Sequence, residues 1–192
     1  MKVLIFTTQF FQKGGAENLS VALAKGLVKE GVESQFLSLY DRESSGVRAI
    51  EEDFKLFGIT KIHSLGLKIH PNAYRVLVSI FTLRSLLKKE NYDFVETSSE
   101  LTALLASWST LGLNTKHLAG IHTGYDNHLT HKETKVELVW KVTARLVKST
   151  IFYAISDFAA KHWAQYSSTS IDRTVVIYNE VDEIFYREFE DK

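Results

Sequence analysis

Seven short apolar runs, separated by stretches with helical periodicity, constrain this chain more than any other feature of it. The runs are Val3–Thr8, Ser34–Leu39, Ile59–Leu65, Asp93–Thr97, His117–His122, Ile151–Ile155 and Thr174–Tyr178. Several are continuous in Val, Ile and Phe rather than alternating, the pattern of strands covered on both faces. Between them, Leu19, Ala22, Leu23, Gly26 and Leu27 fall at i, i+3, i+4, i+7 and i+8, and Gly31 stands where a helix stop is expected. Val136, Val139, Trp140, Thr143, Ala144 and Val147 repeat that spacing. Pro71, the only proline, can open a helix running through Tyr74–Leu87. This alternation predicts an α/β fold: a mostly parallel sheet joined by right-handed crossovers, with helices on both faces.

Composition narrows the class without choosing a function. A chain of 192 residues makes one domain, or one large and one vestigial domain, with ample length for a core. The 23 basic and 23 acidic residues cancel, so no bulk electrostatic argument favours nucleic acid. The absence of cysteine excludes a disulfide scaffold or a thiolate metal site and fits a reducing compartment. The first apolar run ends at Phe6 with no small-residue cleavage site after it, and Val76–Leu87 is too short to span a bilayer. These features predict a cytoplasmic, soluble protein.

In open parallel sheets, ligands sit beyond the carboxyl ends of the strands. The informative loops are therefore 9–15, 98–100, 123–132 and 156–157, with the segment after Tyr178. The first carries Gly14-Gly15-Ala16-Glu17 between a buried strand and a helix N-terminus, where bare N–H groups and the helix dipole converge on an anion. Two glycines also make a tight turn with no ligand at all. The loop is neither a Walker A sequence nor a G-x-G-x-x-G fingerprint.

Ile121-His122-Thr123-Gly124 puts a histidine where a strand ends and a loop begins, the best position of the seven histidines for chemistry. The plain structural alternative is a loop histidine held by the backbone. His122, His128 and His131 are spaced wrongly for one helical face, which argues against zinc. Ser98, Asp126 and His122 can be assembled on paper as a hydrolytic triad, but no G-x-S-x-G elbow marks a nucleophile. Lys132, Lys135, Lys141, Arg145 and Lys148 decorate one helix, read as a solvated face. The alternative is a membrane-proximal basic surface, to which Tyr74–Leu87 could contribute, although burial against the sheet is the expectation for that helix. Further on, Ser156 reads as the N-cap of a helix over Asp157–Tyr166. Thr174–Tyr178 then delivers a polar turn, Asn179-Glu180-Val181-Asp182.

Three landmarks together resemble family 4 of the retaining glycosyltransferases, whose GT-B fold has two Rossmann-like domains facing across a cleft. They are Gly14-Gly15-Ala16-Glu17, Ile121-His122-Thr123, and Ala154-Ile155-Ser156 with Val176-Ile177-Tyr178-Asn179-Glu180-Val181-Asp182. The resemblance covers nearly the whole chain but only the first domain, which is the acceptor side. It implies that Gly14, Gly15 and Glu17 lie over the donor diphosphate or reacting sugar. His122 would orient a sugar hydroxyl and the acceptor nucleophile, with Thr123 beside it. Ser156 and Asn179 would border the cleft. It implies no metal and no cofactor, the nucleotide sugar being a substrate.

On this reading residues 1–179 form a Rossmann-like domain and 180–192 begin an interdomain linker, crowded with acids. Glu180 departs from the family, which usually has glycine there. The expected function is the acceptor-binding half of a hexosyltransferase-type enzyme. It would pass a sugar from a nucleotide sugar to a hydroxyl of a glycan or lipid-linked acceptor in cell-surface polysaccharide synthesis. The expected partners are donor, acceptor, a C-terminal donor-binding domain and, peripherally, the inner face of the membrane. Alone, the 192 residues would be inactive. The alternative is a non-catalytic glycan-binding module or a subunit that pairs with a catalytic partner. A Rossmann oxidoreductase lacks its expected fingerprint.

Overall fold

The computed structural model describes residues 1–10, 15–47, 51, 54–55, 57–59, 61–68, 72–122 and 135–178. In chain order the elements are β1 (Lys2–Thr7), α1 (Gly15–Lys29), β2 (Glu33–Tyr40), β3 (Ile62–Leu67), α2 (Ala73–Glu90) and β4 (Phe94–Thr97). There follow α3 (Glu100–Thr110), β5 (Lys116–Ile121), α4 (Lys135–Leu146), β6 (Thr150–Ala154), α5 (Asp157–Ser167) and β7 (Thr174–Val176). The strands form one sheet in the order β3-β2-β1-β4-β5-β6-β7, every pair parallel. The chain travels outward from β1 to β3, returns to β4 and travels outward the other way. The strand order therefore reverses between β1 and β4, where the carboxyl edge opens a crevice.

Alternate residues of each strand face opposite layers. Val3, Ile5 and Phe36 pack under Ala24 of α1, together with Val47, Phe54 and Ile59. On the other face, Leu4, Phe6, Leu37 and Leu39 meet Leu83 and Leu87 of α2 and Leu105 and Ala106 of α3. Ala119, Ile121, Phe152 and Ala154 meet Trp140 of α4 and Trp163 of α5. The Trp140 and Trp163 rings stack with centroids 5.7 Å apart.

Local chemistry sets the helix limits: Ser156 and Gly31 act where the sequence predicts, whereas α2 starts at Ala73, behind Asn72, and not with Pro71 in its first turn. Asn72 caps α2 by accepting the Arg75 N–H at 2.9 Å, and Ser156 caps α5 by accepting the Ala159 N–H at 3.1 Å. Gly31 takes a positive φ of 74° just after α1. Most strand limits shift by one residue, and those of β3 and β7 shift by more. The run from Ile59 yields a strand only from Ile62, because Ile59 closes a turn onto the Phe54 carbonyl at 3.0 Å and buries itself in the core. β7 ends at Val176, although the Ile177 N–H still reaches the Ala154 carbonyl at 2.8 Å. Helix α3 shows no simple apolar stripe, because helices on both sides and the sheet beneath bury most of it.

One buried polar residue ties β4, β5, β6 and α3 together. The His117 ring lies within hydrogen-bond distance of Thr97 Oγ1 (2.9 Å, Nε2), and of Ser107 Oγ (3.1 Å) and Thr150 Oγ1 (3.2 Å, both Nδ1). Complete burial pushes its pKa down from 6.5 to about 3. The unfolded chain takes up this proton near pH 6.5, whereas the folded chain does not. Stability should therefore fall as pH drops from 6.5 toward 3, by on the order of 4 kcal/mol from this group. Urea unfolding across that range, with NMR of the ring, tests this. A His117 signal that titrates near pH 6.5 in the native protein would contradict it.

Candidate functional site

The face covered by α1 gathers buried polar atoms at its carboxyl end. Thr7 closes β1, Glu96 is the third residue of β4, and His122 follows the last residue of β5. Thr7 Oγ1, Glu96 Oε2 and His122 Nε2 are each buried with no hydrogen-bond partner among the described residues. Polar atoms removed from water without a partner are costly, so such a cluster on an apolar sheet marks a place where a ligand can supply the missing bonds.

Glu96 and His122 are linked through Tyr153 of β6. The Tyr153 hydroxyl donates to Glu96 Oε1 at 2.6 Å, and its ring meets the His122 ring edge-on, centroids 5.8 Å apart. Gly120, paired with Tyr153 in the sheet, makes this arrangement fit. A β-carbon at Gly120 would lie 2.5 Å from His122 Nε2 and 2.6 Å from the Tyr153 hydroxyl. Glycine here is a matter of space: two polar tips occupy the volume that any side chain needs.

Burial sets the charges. It pushes the Glu96 carboxyl up from 4.5 to about 7, against the opposing hydrogen bond from Tyr153. It holds the His122 imidazole below its ordinary 6.5, so the ring is neutral at pH 7 and can either give or take a hydrogen bond. Beside them runs an apolar groove of about 450 Å³, bounded by Leu19, Leu23 and Leu27 of α1 and by Glu96, Tyr153 and Tyr178.

The chain just after β1 is anchored on the β2 side of the sheet. Phe10 sets its ring edge against Phe36 and Phe54 at 5.3 and 5.5 Å, and its N–H reaches the Ser45 carbonyl at 2.6 Å. Helix α1 begins at Gly15, so its positive end faces the β1–β4 crevice. Ser20 Oγ on its second turn lies 3.3 Å from Ser98 Oγ beyond β4.

Of the residues singled out from sequence, His122 and Gly15 lie at the carboxyl edge as expected. Ser156 lies there too, with its hydroxyl occupied in capping α5. Gly14, Thr123 and Asn179 fall outside the described residues, as do the side chain of Glu17 and the residues Asp126, His128 and His131. Among the described residues no group of three His, Asp or Glu is placed to hold a metal ion. Sequence reasoning missed Glu96, Tyr153 and Gly120. The signal was present for Glu96: an acid inside the continuous run Phe94-Val95-Glu96-Thr97 can only be buried.

With this geometry in view, comparison with known proteins decides the family. The model of Glycosyltransferase Family 4 matches residues 13–184. The chain belongs to glycosyltransferase family 4. Its fold is that of the first Rossmann-like domain of GT-B glycosyltransferases. A glycosyltransferase from Rickettsia africae aligns with TM-score 0.68 and 19% identity, over 98% of this chain and 48% of its own. Anabaena HepE in complex with UDP gives 0.67 and 18%, over 97% and 46%. The lipopolysaccharide outer core galactosyltransferase WaaB gives 0.65 and 16%, over 94% and 46%. At these identities the likeness is one of fold, and the chain spans about half the length of each neighbour. No curated protein sequence matches.

Two outcomes check the cluster. Gly120→Ala should displace the His122 and Tyr153 rings and lower stability by roughly 1–3 kcal/mol as an overpacked site. Unchanged NMR signals for both rings in that variant would refute the steric argument. For Glu96 the folded pKa lies above the unfolded one, so the stability cost of its charge is absent below pH 4.5 and grows as pH rises to about 7. It reaches roughly 3 kcal/mol above that window. Unfolding free energy of Glu96→Gln minus that of the parent should therefore increase from pH 4.5 to 7 and then level off. A flat difference would contradict the assignment.

Proposed function

We propose that this domain forms the acceptor side of a retaining glycosyltransferase that moves a hexose, or a hexose derivative, from a nucleotide sugar to a hydroxyl. The observation that carries the proposal is the buried Nε2 of a neutral His122 at the carboxyl end of β5, without a hydrogen-bond partner among the described residues, in a chain matched by the family over 13–184. A neutral imidazole at a sheet edge can accept a hydrogen bond from a sugar hydroxyl or donate one to its oxygen. Either bond fixes the orientation of the reacting groups. The α1 N-terminus, beginning at Gly15, contributes N–H groups and dipole that favour a diphosphate, and Gly14 and Gly15 allow its close approach. Helix dipoles and basic groups can stabilise the leaving diphosphate without a metal. A second domain would bind the nucleotide and close the opposite wall.

A glycan or a lipid-linked intermediate in surface polysaccharide synthesis is the acceptor class this reading favours, in line with WaaB, a lipopolysaccharide outer core galactosyltransferase, among the structural neighbours. A nucleotide-sugar donor and the cysteine-free composition support action in the cytoplasm.

The test is a panel of nucleotide sugars and sugar acceptors assayed with the polypeptide encoded by the full reading frame that contains this chain. Transfer with retained anomeric configuration is expected. His122→Ala should lower kcat roughly 100-fold with an unchanged melting temperature. Equal turnover in that variant would remove His122 from the site. Glycan binding with no transfer from any donor would overturn the catalytic reading in favour of a binding module.

A further inference from the structure

Helix α2 is apolar on both sides. Leu83 and Leu87 pack into the core beneath it, while Tyr74, Leu77, Val78 and Phe81, at i, i+3, i+4 and i+7, face outward. Their exposures are 73, 56, 42 and 70%. The burial against the sheet expected from sequence holds for one side of the helix, and the second apolar stripe is left outside it. Helix α4 repeats the arrangement: Trp140 and Ala144 are buried, and Leu138, Val142 and Leu146 are exposed. Helix α3 joins the two. Arg84 Nη1 of α2 donates to the Ser109 carbonyl at 3.0 Å, and Trp108 Nε1 donates to Thr143 Oγ1 of α4 at 3.2 Å. The three helices are thus one layer, and its outer surface carries two apolar stripes with exposed Trp108 and Leu111 between them. Single exposed leucines are ordinary, but stripes of this extent mark a contact surface.

The charges say what kind of surface it meets. Helix α2 has Arg75, Arg84, Lys88 and Lys89 against Glu90 alone, and α4 has Lys135, Lys141 and Arg145 against Glu137 alone. Helix α3 adds Glu100 alone, and the chain as a whole is balanced at 23 against 23, so this layer concentrates positive charge. Glu90 is turned toward the sheet, where Lys2 and Lys61 pair with it at 2.9 and 3.2 Å. An outward apolar stripe flanked by Arg and Lys is the pattern of a helix that lies in a membrane interface. A symmetric pairing of two copies through this layer would set basic helix against basic helix.

We infer that the α2–α3–α4 layer docks on an anionic bilayer surface, with Tyr74, Leu77, Val78 and Phe81 at headgroup depth. Among the described residues no helix is long and apolar enough to cross a membrane, so the contact is peripheral. The stripe occupies the first half of α2, which starts beyond the carboxyl end of β3, the same sheet edge that carries His122. Where the transfer reading above holds, this orientation brings a lipid-linked acceptor to the catalytic edge.

The experiment is flotation of the 192-residue chain with vesicles of phosphatidylcholine alone and with about 30% phosphatidylglycerol. Binding to the anionic vesicles should be about tenfold stronger and weaken in high salt. Leu77→Ser with Phe81→Ser should lower it about tenfold with circular dichroism and melting temperature unchanged. Arg75→Gln with Lys88→Gln and Lys89→Gln should lower it on anionic vesicles and leave the neutral ones unaffected. Parental binding by these variants, or equal binding to both vesicle types, would overturn the inference. So would a dimer in light scattering that Leu77→Ser and Phe81→Ser dissolve, since the stripe would then be a protein interface. The readout is binding alone, so a negative result leaves the transfer proposal standing.

Discussion

Parallel strand pairing is the constraint on which the rest of this molecule depends. Each parallel step needs a crossover, and right-handed crossovers send helices to one face when the chain moves one way across the sheet and to the opposite face when it moves back. Here only the steps from β1 to β3 go one way. As a result α1, with the segment around Val47, Phe54 and Ile59, covers one face, and α2 to α5 crowd the other. This unequal layering leaves the α1 face thinly covered over β5 to β7, where Ile151 and Val175 are exposed. The polar cluster of Glu96, Tyr153 and His122 lies at the border between the covered and the open parts.

The same layering explains the different behaviour of the buried polar groups. His117 points into the crowded layer, where hydroxyls from three elements bond both ring nitrogens; it acts as a structural tie. His122, five residues further along the same strand direction, points the other way, and its Nε2 has no hydrogen-bond partner among the described residues. An odd offset between two strand positions places them on opposite faces and an even offset keeps them together; here the offset of five separates a structural histidine from a candidate binding one.

Much of the fold was legible beforehand. Continuous runs of Val, Ile and Phe identified buried strands, and caps such as Ser156 marked helix starts, because both signals are local. Helix α3 was harder to read, since a helix buried nearly all round loses the amphipathic period that reveals surface helices. At the site, His122 was legible from its place at a strand end. Gly120 was not, because its importance comes from two side chains, one of them on another strand, that meet only in the folded sheet.

The sequence by itself determined the parallel α/β class, the direction of the strands and the sheet edge that carries the candidate site, since periodicity and turn chemistry act over a few residues. Tertiary structure decided which polar groups lost their partners and which apolar side chains were left in solvent. Periodicity can show that α2 is apolar, but it cannot say which stripe meets the sheet when both stripes are greasy. That choice is made by the competition among neighbouring helices for the same sheet face, and its outcome is an exposed line from Tyr74 to Phe81.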